Sequence, residues 1–287
     1  MTAESPDSTS PSTAPPRRSY RLLAGIIALG LATGLLGGLA AGRLAAGDRI
    51  TVGNTAGTLS TVIRIDGRLV VVGGGDDRGD LRDLVGRATL PWSRQVDVLV
   101  VPGWDSEQAV GALGLIEGGS VRALSILGTT GDHPSWALLE QAAVQRDIAV
   151  THLNGEQRLD LADGVSLQFQ PPPSTDVRAA LVRLNYHGNE ITLADIAGGP
   201  SDAALSSWDV LPARTNLLIA ARPVDPGLIG AAVVLQPAAR QQSELPPLAP
   251  GYVGELRPGE RMSIRLSGGR LRLPANRLRP TFVPPTP

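Results

Sequence analysis

The sequence predicts a mixed α/β fold, in which two sheets pack between outer helices, with one membrane-spanning helix before it. Three observations predict this arrangement. A run of 21 residues without charge, 22–42, has the length of a helix that crosses a bilayer. Beyond it, short apolar strands alternate with amphipathic helices, as in folds built from βα units. Strand pairs around tight turns at 66–67 and 268–269 lie at the two ends of that region.

The charge-free run predicts an uncleaved membrane anchor and its orientation. Residues 1–21 are rich in Pro, Ser and Thr, so we expect a disordered cytoplasmic tail. Three arginines lie in the five residues before the run, against two arginines and one aspartate in the seven after it, which places the N-terminus in the cytoplasm. A cleaved signal peptide is the alternative, but the run is longer than a signal-peptide core. We therefore expect a single-pass protein of the cell membrane with an extracytoplasmic domain.

Small residues recur every four positions within this run. They are Gly30, Gly34, Gly38 and Gly42. At that spacing they lie on one helix face, where small side chains let two membrane helices approach closely. A homodimer through this face is one interpretation, and chance spacing in an Ala/Gly-rich segment is the other.

Local signals predict the elements after a linker at 43–50. Asp66-Gly67 supplies the positive φ angles of a tight turn, so 59–65 and 69–72 form a hairpin. Pro134 after His133 marks a helix start, with Trp136 on its apolar side. Other helices are predicted at 80–87, 106–117, 201–207 and around Gly227. Other strands are predicted at 96–101, 121–126, 148–153, 165–169, 180–184, 190–194, 217–220 and 231–235.

The last hairpin, which turns at Gly268-Gly269, combines an apolar face with a basic one. The basic face consists of Arg261, Arg265, Arg270 and Arg272. These arginines could bind an anion on an acidic second copy, an anionic lipid surface or DNA, and a solvated strand face is the alternative. The folded domain is expected to cover 51–273, with a Pro-rich tail at 274–287.

Composition excludes several kinds of chemistry. All 26 basic residues counted as Lys+Arg are Arg, there is no Cys, and there are three His. A disulfide, a thiol nucleophile and a Cys-ligated metal are therefore excluded, and a His-rich metal centre is disfavoured. The net charge is -9 over residues 50–255 and +6 over 256–287. Because an acidic body repels a phosphate backbone, nucleic-acid binding is not favoured.

Five stretches, in their order along the chain, carry a resemblance to a known family. They are TLSTVIRIDGRLVVVGGG (58–75), DVLVVPGWDSEQAVGAL (97–113), RLDLADGVSLQFQPP (158–172), ALVRLNYHGNEITLADI (180–196) and LLIAARPVDPG (217–227). Together they resemble the metallo-β-lactamase fold, and most closely the soluble C-terminal domain of ComEC-type DNA-uptake competence proteins. The resemblance implies a four-layer αβ/βα sandwich.

Enzymes of that family bind two zinc ions through a His-x-His-x-Asp-His loop and a bridging Asp, and they also have a later His-His-Gly and an Asp at the end of the second strand. The corresponding positions in this sequence are Gly73, Gly103, Asp105, Glu107, Gln108, Asp195, Ala221 and Arg222. The resemblance thus implies that most metal ligands are absent and that Arg222 places a positive charge where a dication would lie. We expect a catalytically inactive relative without metal or other cofactor, which binds or scaffolds an unidentified protein partner. A residual metal-dependent hydrolase or nuclease is the alternative.

Weaker candidates remain beside this interpretation. Asp76 and Asp77 could join the acidic residues of the cleft in an oxygen-ligand site for Ca²⁺ or Mg²⁺, but solvated acidic loops are commoner. The Gly-rich segment 73–80 could cradle phosphate, although its acids oppose an anion and a tight turn is the simpler interpretation. His133 and His152 could act as bases, and structural roles in a helix start and a strand are the alternative.

Overall fold

Strands and helices alternate along the described part of the chain. The computed structural model describes residues 47–89, 95–172, 179–196, 215–223, 231–238 and 252–280. The helices are α1 Asp80–Ala88, α2 Ser106–Glu117 and α3 Pro134–Gln145. The strands are β1 Arg49–Thr55, β2 Thr58–Ile65, β3 Arg68–Val72, β4 Val98–Pro102, β5 Ala123–Leu127, β6 Ala149–Leu153, β7 Gln157–Ala162, β8 Val165–Gln170, β9 Ala179–Tyr186, β10 Asn189–Ile196, β11 Thr215–Ala220, β12 Ala231–Pro237, β13 Tyr252–Leu256, β14 Arg261–Ser267, β15 Arg270–Arg272 and β16 Arg279–Pro280.

These strands form two mixed sheets of eight strands each. The first sheet has the order β15-β14-β1-β2-β3-β4-β5-β6, and the second has the order β16-β13-β12-β11-β10-β9-β8-β7. Strands β3 to β6 run parallel, and α1, α2 and α3 connect them in succession. In the second sheet, β10 to β13 run parallel. The carboxyl ends of these parallel strands are where ligand sites form in open sheets.

Apolar side chains form a layer on each side of the first sheet. Ile50 and Ile63 on its inner face pack with Leu184 and Ile191 of the second sheet. On its outer face, the alternate residues of β2 to β5 pack against the apolar sides of the three helices. A smaller buried cluster, which includes Leu181 and Leu218, lies on the other face of the second sheet. Alternate residues of the first sheet thus pack against the helices on one face and against the second sheet on the other. The layers of the described residues are therefore helices, first sheet and second sheet, in that order.

The tight turns and the three described helices confirm their sequence predictions. Asp66 and Gly67 have φ angles of 49° and 76°, as the predicted two-residue turn requires. Helix α2 has the predicted bounds. Helix α3 begins after His133, whose Nδ1 accepts the backbone N–H of Ser135 at 3.3 Å, and the ring of Trp136 is buried.

Some elements differ from their predictions. Strand β4 covers Val98–Pro102 rather than 96–101, and before it Val96 forms only an isolated bridge with Val121. Four strands were not predicted: β1, which begins at Arg49 within the expected linker, and β7, β13 and β16.

Several predictions concern residues outside the described ranges. These are the membrane span at 22–42 with its four glycines, and the helices at 201–207 and around Gly227. Among the residues that the structure describes, no helix is long and apolar enough to cross a membrane.

Candidate functional site

The loops after parallel strands of both sheets meet at one edge of the molecule. Asp105 follows β4 and begins α2, Asp195 lies near the end of β10, and Arg222 lies two residues after β11. Backbone hydrogen bonds fix this edge, because Ala221 donates to the Ala194 carbonyl at 2.7 Å and accepts from the backbone N–H of Leu59 at 2.8 Å. The second of these bonds joins the two sheets beside the candidate site.

The Arg222 guanidinium lies among three carboxylates. Its Nη2 is 2.5 Å from Asp105 Oδ2 and 3.9 Å from Glu107 Oε2, and its Nε is 3.6 Å from Asp195 Oδ1. Burial disfavours the charge on Arg222, but the three carboxylates outweigh this effect and raise its pKa above the usual value. Arg222 is therefore a fixed positive charge at the centre of the site.

Asp105 has a structural role as well as this ion pair. Its Oδ1 accepts the backbone N–H of Glu107 at 3.1 Å, and this bond caps the N-terminus of α2. The side chain is 5% exposed. One carboxylate thus begins the helix and pairs with Arg222.

The Gln108 side chain connects the glycine turn after β3 to both aspartates. Its Oε1 accepts the backbone N–H of Gly74 at 2.9 Å, and its Nε2 donates to Asp105 Oδ2 at 3.1 Å and to Asp195 Oδ2. A Cβ on Gly73 would lie 3.4 Å from this Oε1, so the Gln108 amide occupies the space beside that glycine.

Asp195 is the most strongly perturbed acid of the site. Burial and the nearby charge of Asp105 raise its pKa to about 7, although Arg222 and the Gln108 amide act in the opposite direction. Its Oδ1 has no hydrogen-bond partner among the described residues. Near neutral pH, this carboxyl group therefore exchanges a proton inside a buried network.

Trp104 belongs to the site and was not predicted from the sequence. The Arg222 guanidinium carbon lies 5.4 Å from the centre of its ring, within the range of a cation–π contact. Its indole N–H is buried and has no partner among the described residues. The sequence offered one signal that Trp104 belongs to the site, its position directly before Asp105.

An open cavity extends from this network into the space between the sheets. Its empty volume is about 340 Å³, counting the mouth. Asp195 and Gln108 supply polar groups to its lining. The walls are largely aliphatic and include Leu59, Val72, Leu127, Val182, Leu193 and Ile219. The interior of this cavity has room for about one water molecule, so the sheets enclose no ligand-sized chamber here.

The other predicted site positions contribute no side chain to the Arg222 network. A Cβ on Gly103 would lie 2.9 Å from the Thr129 carbonyl oxygen, so backbone fills the space beside that glycine. Asp76 and Asp77 are exposed and raise the pKa of Asp80 rather than that of Asp195, and Asp77 accepts the backbone N–H groups of Gly79 and Asp80. The predicted anion-binding arginines lie on β14 and β15 and are exposed.

The side chains at this edge do not fit a divalent cation. Asp105 and Asp195 both face the Arg222 guanidinium, which would repel a dication. Among the described residues, no group of three or more His, Cys, Asp or Glu is arranged to ligate a metal ion. The two remaining histidines lie elsewhere, with His152 on β6 facing Glu140 at 3.3 Å and His187 in the β9–β10 turn.

Several solved structures are similar to this chain. The metallo-β-lactamase fold protein YhfI from Bacillus subtilis has 14% identity and a TM-score of 0.51, over 75% of this chain and 99% of its own. Zn²⁺-bound PqqB from Methylobacterium extorquens has 14% identity and a TM-score of 0.41, over 62% and 72%. Rm3 metallo-β-lactamase has 14% identity and a TM-score of 0.42, over 62% and 76%.

The sequence itself matches no family model, and no curated protein matches it. The likeness to YhfI nevertheless identifies the fold, because that protein is matched over nearly its whole length. This chain has a mixed α/β fold of the metallo-β-lactamase kind.

Proposed function

We propose that this chain is a single-pass membrane protein whose metallo-β-lactamase-like domain is catalytically inactive and acts outside the cytoplasm as a binding or scaffold module. The observation that carries the proposal is the Arg222 guanidinium between Asp105 and Asp195. A metal-dependent hydrolase needs a cation at this edge to activate water. Here a protein cation already neutralises the carboxylates.

The ligand positions support the same conclusion. Where the family has zinc-binding side chains, this chain has two glycines, one alanine and one arginine, at Gly73, Gly103, Ala221 and Arg222. The space beside Gly73 contains the Gln108 amide, and that beside Gly103 contains backbone oxygens. We infer that the metal site was replaced by a hydrogen-bonded, ion-paired network that stabilises the fold.

The cavity supports a binding role. We infer that it receives no more than one small hydrogen-bonding group of a partner, beside Asp195 and Gln108, because its interior has room for about one water molecule. Asp195 can present either a carboxylate or a protonated carboxyl near neutral pH, because its pKa is raised to about 7. A partner bound here would not need to be cleaved.

The relationship to the ComEC-type soluble domain, and with it a link to competence, rests on the five ordered sequence stretches. It supports the alternative function, a residual hydrolase or nuclease. One observation favours this alternative, because Asp105, Glu107 and Asp195 all lie within 4 Å of the same guanidinium. Displacement of Arg222 would free the buried carboxylates of Asp105 and Asp195, oxygen ligands of the kind that Mg²⁺ or Ca²⁺ prefers.

A hydrolysis assay separates the two functions. The full chain, purified in detergent, is incubated with a phosphodiester substrate and with single-stranded DNA, with Zn²⁺, Mn²⁺, Mg²⁺ or Ca²⁺ in turn. We expect no metal-dependent hydrolysis above that of Asp195→Ala. Hydrolysis that needs a metal ion and is lost in Asp195→Ala would establish the enzyme instead.

The anchor has a separate test. We expect the full chain expressed in bacteria to keep its N-terminus, to stay in membranes washed with alkaline carbonate, and to be digested by protease added outside the cytoplasm. Loss of about forty N-terminal residues from the mature mass would show a cleaved signal peptide and reject the anchor.

A further inference from the structure

Four arginines form a continuous row across the first sheet. Arg272 on β15 is opposite Arg265 on β14, Arg265 is opposite Arg49 on β1, and Arg49 is opposite Arg64 on β2. The neighbouring Ile264, Ile50 and Ile63 face the core between the sheets. Because side chains alternate along a strand, the four arginines lie on the outer face.

Two more arginines share this face by the same alternation. Arg261 lies four residues before Arg265 on β14 and therefore shares its face. Arg270 precedes the core-facing Leu271 on β15. We call these six residues the arginine face: Arg49, Arg64, Arg261, Arg265, Arg270 and Arg272. None of the six forms an ion pair with a carboxylate in the described part of the chain, whereas Arg122 and Arg277 do.

This arrangement costs stability in the isolated domain. Like charges directly opposite each other on neighbouring strands repel. Arg64 is only 8% exposed, and burial together with the charge of Arg49 lowers its pKa. Charges on the short edge strand β15 could serve to prevent edge pairing, but β1 and β2 are interior strands. Edge protection therefore leaves Arg49 and Arg64 unexplained.

We propose that the arginine face binds the anionic surface of a lipid bilayer. Without the buried Arg64, the row spans two strand spacings, about 10 Å, over which the guanidinium groups of Arg49, Arg265 and Arg272 can contact several phosphate headgroups. The large exposed apolar side chains of the described residues are Leu138, Val144 and Tyr252, and none of them lies on the four strands of the row. The face is therefore suited to contact headgroups without inserting between lipid chains.

Chain length favours a membrane over nucleic acid as the partner. Arg49 is seven positions beyond Gly42, the last residue of the predicted span, and a chain of that length extends at most about 25 Å. The assignment therefore rests on the anchor of the proposed function. A face tethered this closely to a bilayer meets headgroup phosphates at a high effective concentration.

The test uses the full chain in nanodiscs and the absence of native cysteine. A dye is attached through Ser263→Cys, an exposed position between Arg261 and Arg265, or through Gln145→Cys on α3 as the control position. Discs of phosphatidylcholine alone are compared with discs containing one third phosphatidylglycerol, each with a trace of acceptor-labelled lipid. Energy transfer from the dye to the acceptor measures docking of the face on the lipid.

We expect greater energy transfer from position 263 in phosphatidylglycerol discs, lost at high salt, and no change from position 145. Arg265→Gln and Arg272→Gln should each weaken docking roughly fivefold, because one arginine near an anionic surface contributes about that factor. Arg122→Gln, which removes an arginine elsewhere, should leave docking unchanged. Equal transfer in the two kinds of disc would overturn the proposal.

Two further results would separate failure of the anchor from failure of the arginine face. Failure of the chain to remain in phosphatidylcholine discs would reject the anchor. Binding to phosphatidylglycerol vesicles, weakened by Arg265→Gln, would then still support the arginine face. Binding of a short single-stranded DNA by the same arginines, without a response to phosphatidylglycerol, would assign the face to nucleic acid and reject the lipid.

Discussion

At the scale of single residues, Arg222 determines what the cleft can do. It pairs with Asp105 across 117 positions of sequence, which no local pattern could predict. The resemblance to a known family located the relevant positions, and the absence of most zinc-binding side chain types followed from their identities. The Gln108 bridge, the Trp104 contact and the raised pKa of Asp195 required distances between loops of two sheets.

Removal of the central charge should destabilise the domain in a pH-dependent way. We expect Arg222→Leu to lower the free energy of unfolding by about 2–3 kcal/mol at pH 8, because it leaves buried carboxylates unpaired. The loss should be smaller at pH 5, where Asp195 takes up a proton. Urea unfolding of the full chain in detergent measures both values. The control is Arg122→Leu, which removes an exposed ion pair with Asp97 worth about 1 kcal/mol or less. An equal loss of unfolding free energy in the two variants would refute the interpretation.

Asp195 should make the domain less stable as the pH rises. Its pKa is 3.8 in the unfolded reference and about 7 in the folded domain, so between these values the folded state binds a proton that the unfolded state has released. Its contribution is fully present below pH 3.8 and is lost as the pH rises through 7, by on the order of 4 kcal/mol.

Asp195→Asn cannot titrate and should lack this component. The measurement is the difference in unfolding free energy between wild type and variant at each pH. A difference that does not change with pH would show that the pKa of Asp195 is not raised.

At the scale of elements, the sequence predicted what local signals specify. The turn at Asp66-Gly67 and the helix starting at Pro134 depend on residues next to one another. Strands β13 and β16 escaped prediction because they pair with strands that are distant in sequence. Strand β7 pairs with β8, the next strand along the chain, but it has one fully buried position among six, so it shows little of the alternation that identifies a strand.

Helix α2 depends on a glycine contact. The backbone N–H of Gly111 donates to the Gly75 carbonyl at 3.0 Å, and a Cβ at Gly111 would overlap the Gly74 carbonyl oxygen. We expect Gly111→Ala to destabilise the domain by about 1–3 kcal/mol, through a shift of the helix that carries Asp105 and Gln108.

The matched control is Gly86→Ala in α1, where an added Cβ would meet nothing within 4 Å. It should stabilise the domain by about 0.5–1 kcal/mol, because alanine favours the helix. Thermal unfolding of both variants gives the comparison. Similar effects of the two substitutions would argue against the close packing of α2 on the glycine turn.

At the scale of the whole molecule, a few polar contacts join the two sheets. Asn54, 3% exposed in the first sheet, donates to the Leu256 carbonyl of the second at 2.7 Å and accepts the backbone N–H of Gly57 at 2.8 Å. The sequence predicted two sheets but not their contacts, since these depend on how the sheets pack. The sequence predicted a basic C-terminal hairpin. In the structure this basic surface is larger, because Arg49 and Arg64 on interior strands lie on the same face as the hairpin arginines.

Loss of the Asn54 side chain should loosen this connection. Asn54→Ala removes one of two hydrogen bonds to the Leu256 carbonyl, which keeps the backbone N–H of Ala238 at 2.9 Å, and removes the acceptor of the Gly57 N–H, so we expect a loss of about 1–2 kcal/mol of unfolding free energy. Asn185→Ala removes an exposed bond of 3.1 Å to the Gly188 N–H and should cost less than about 1 kcal/mol. Urea unfolding measures both, and equal losses would show that Asn54 does not hold the sheets together.

The metal content of the full chain tests the central claim most directly. The purified protein is incubated with excess Zn²⁺ or Mn²⁺, desalted and analysed by mass spectrometry for bound metal. With Arg222 paired to Asp105 and Asp195, we predict far less than one ion per chain. One or more ions per chain, lost in Asp195→Ala, would contradict the account.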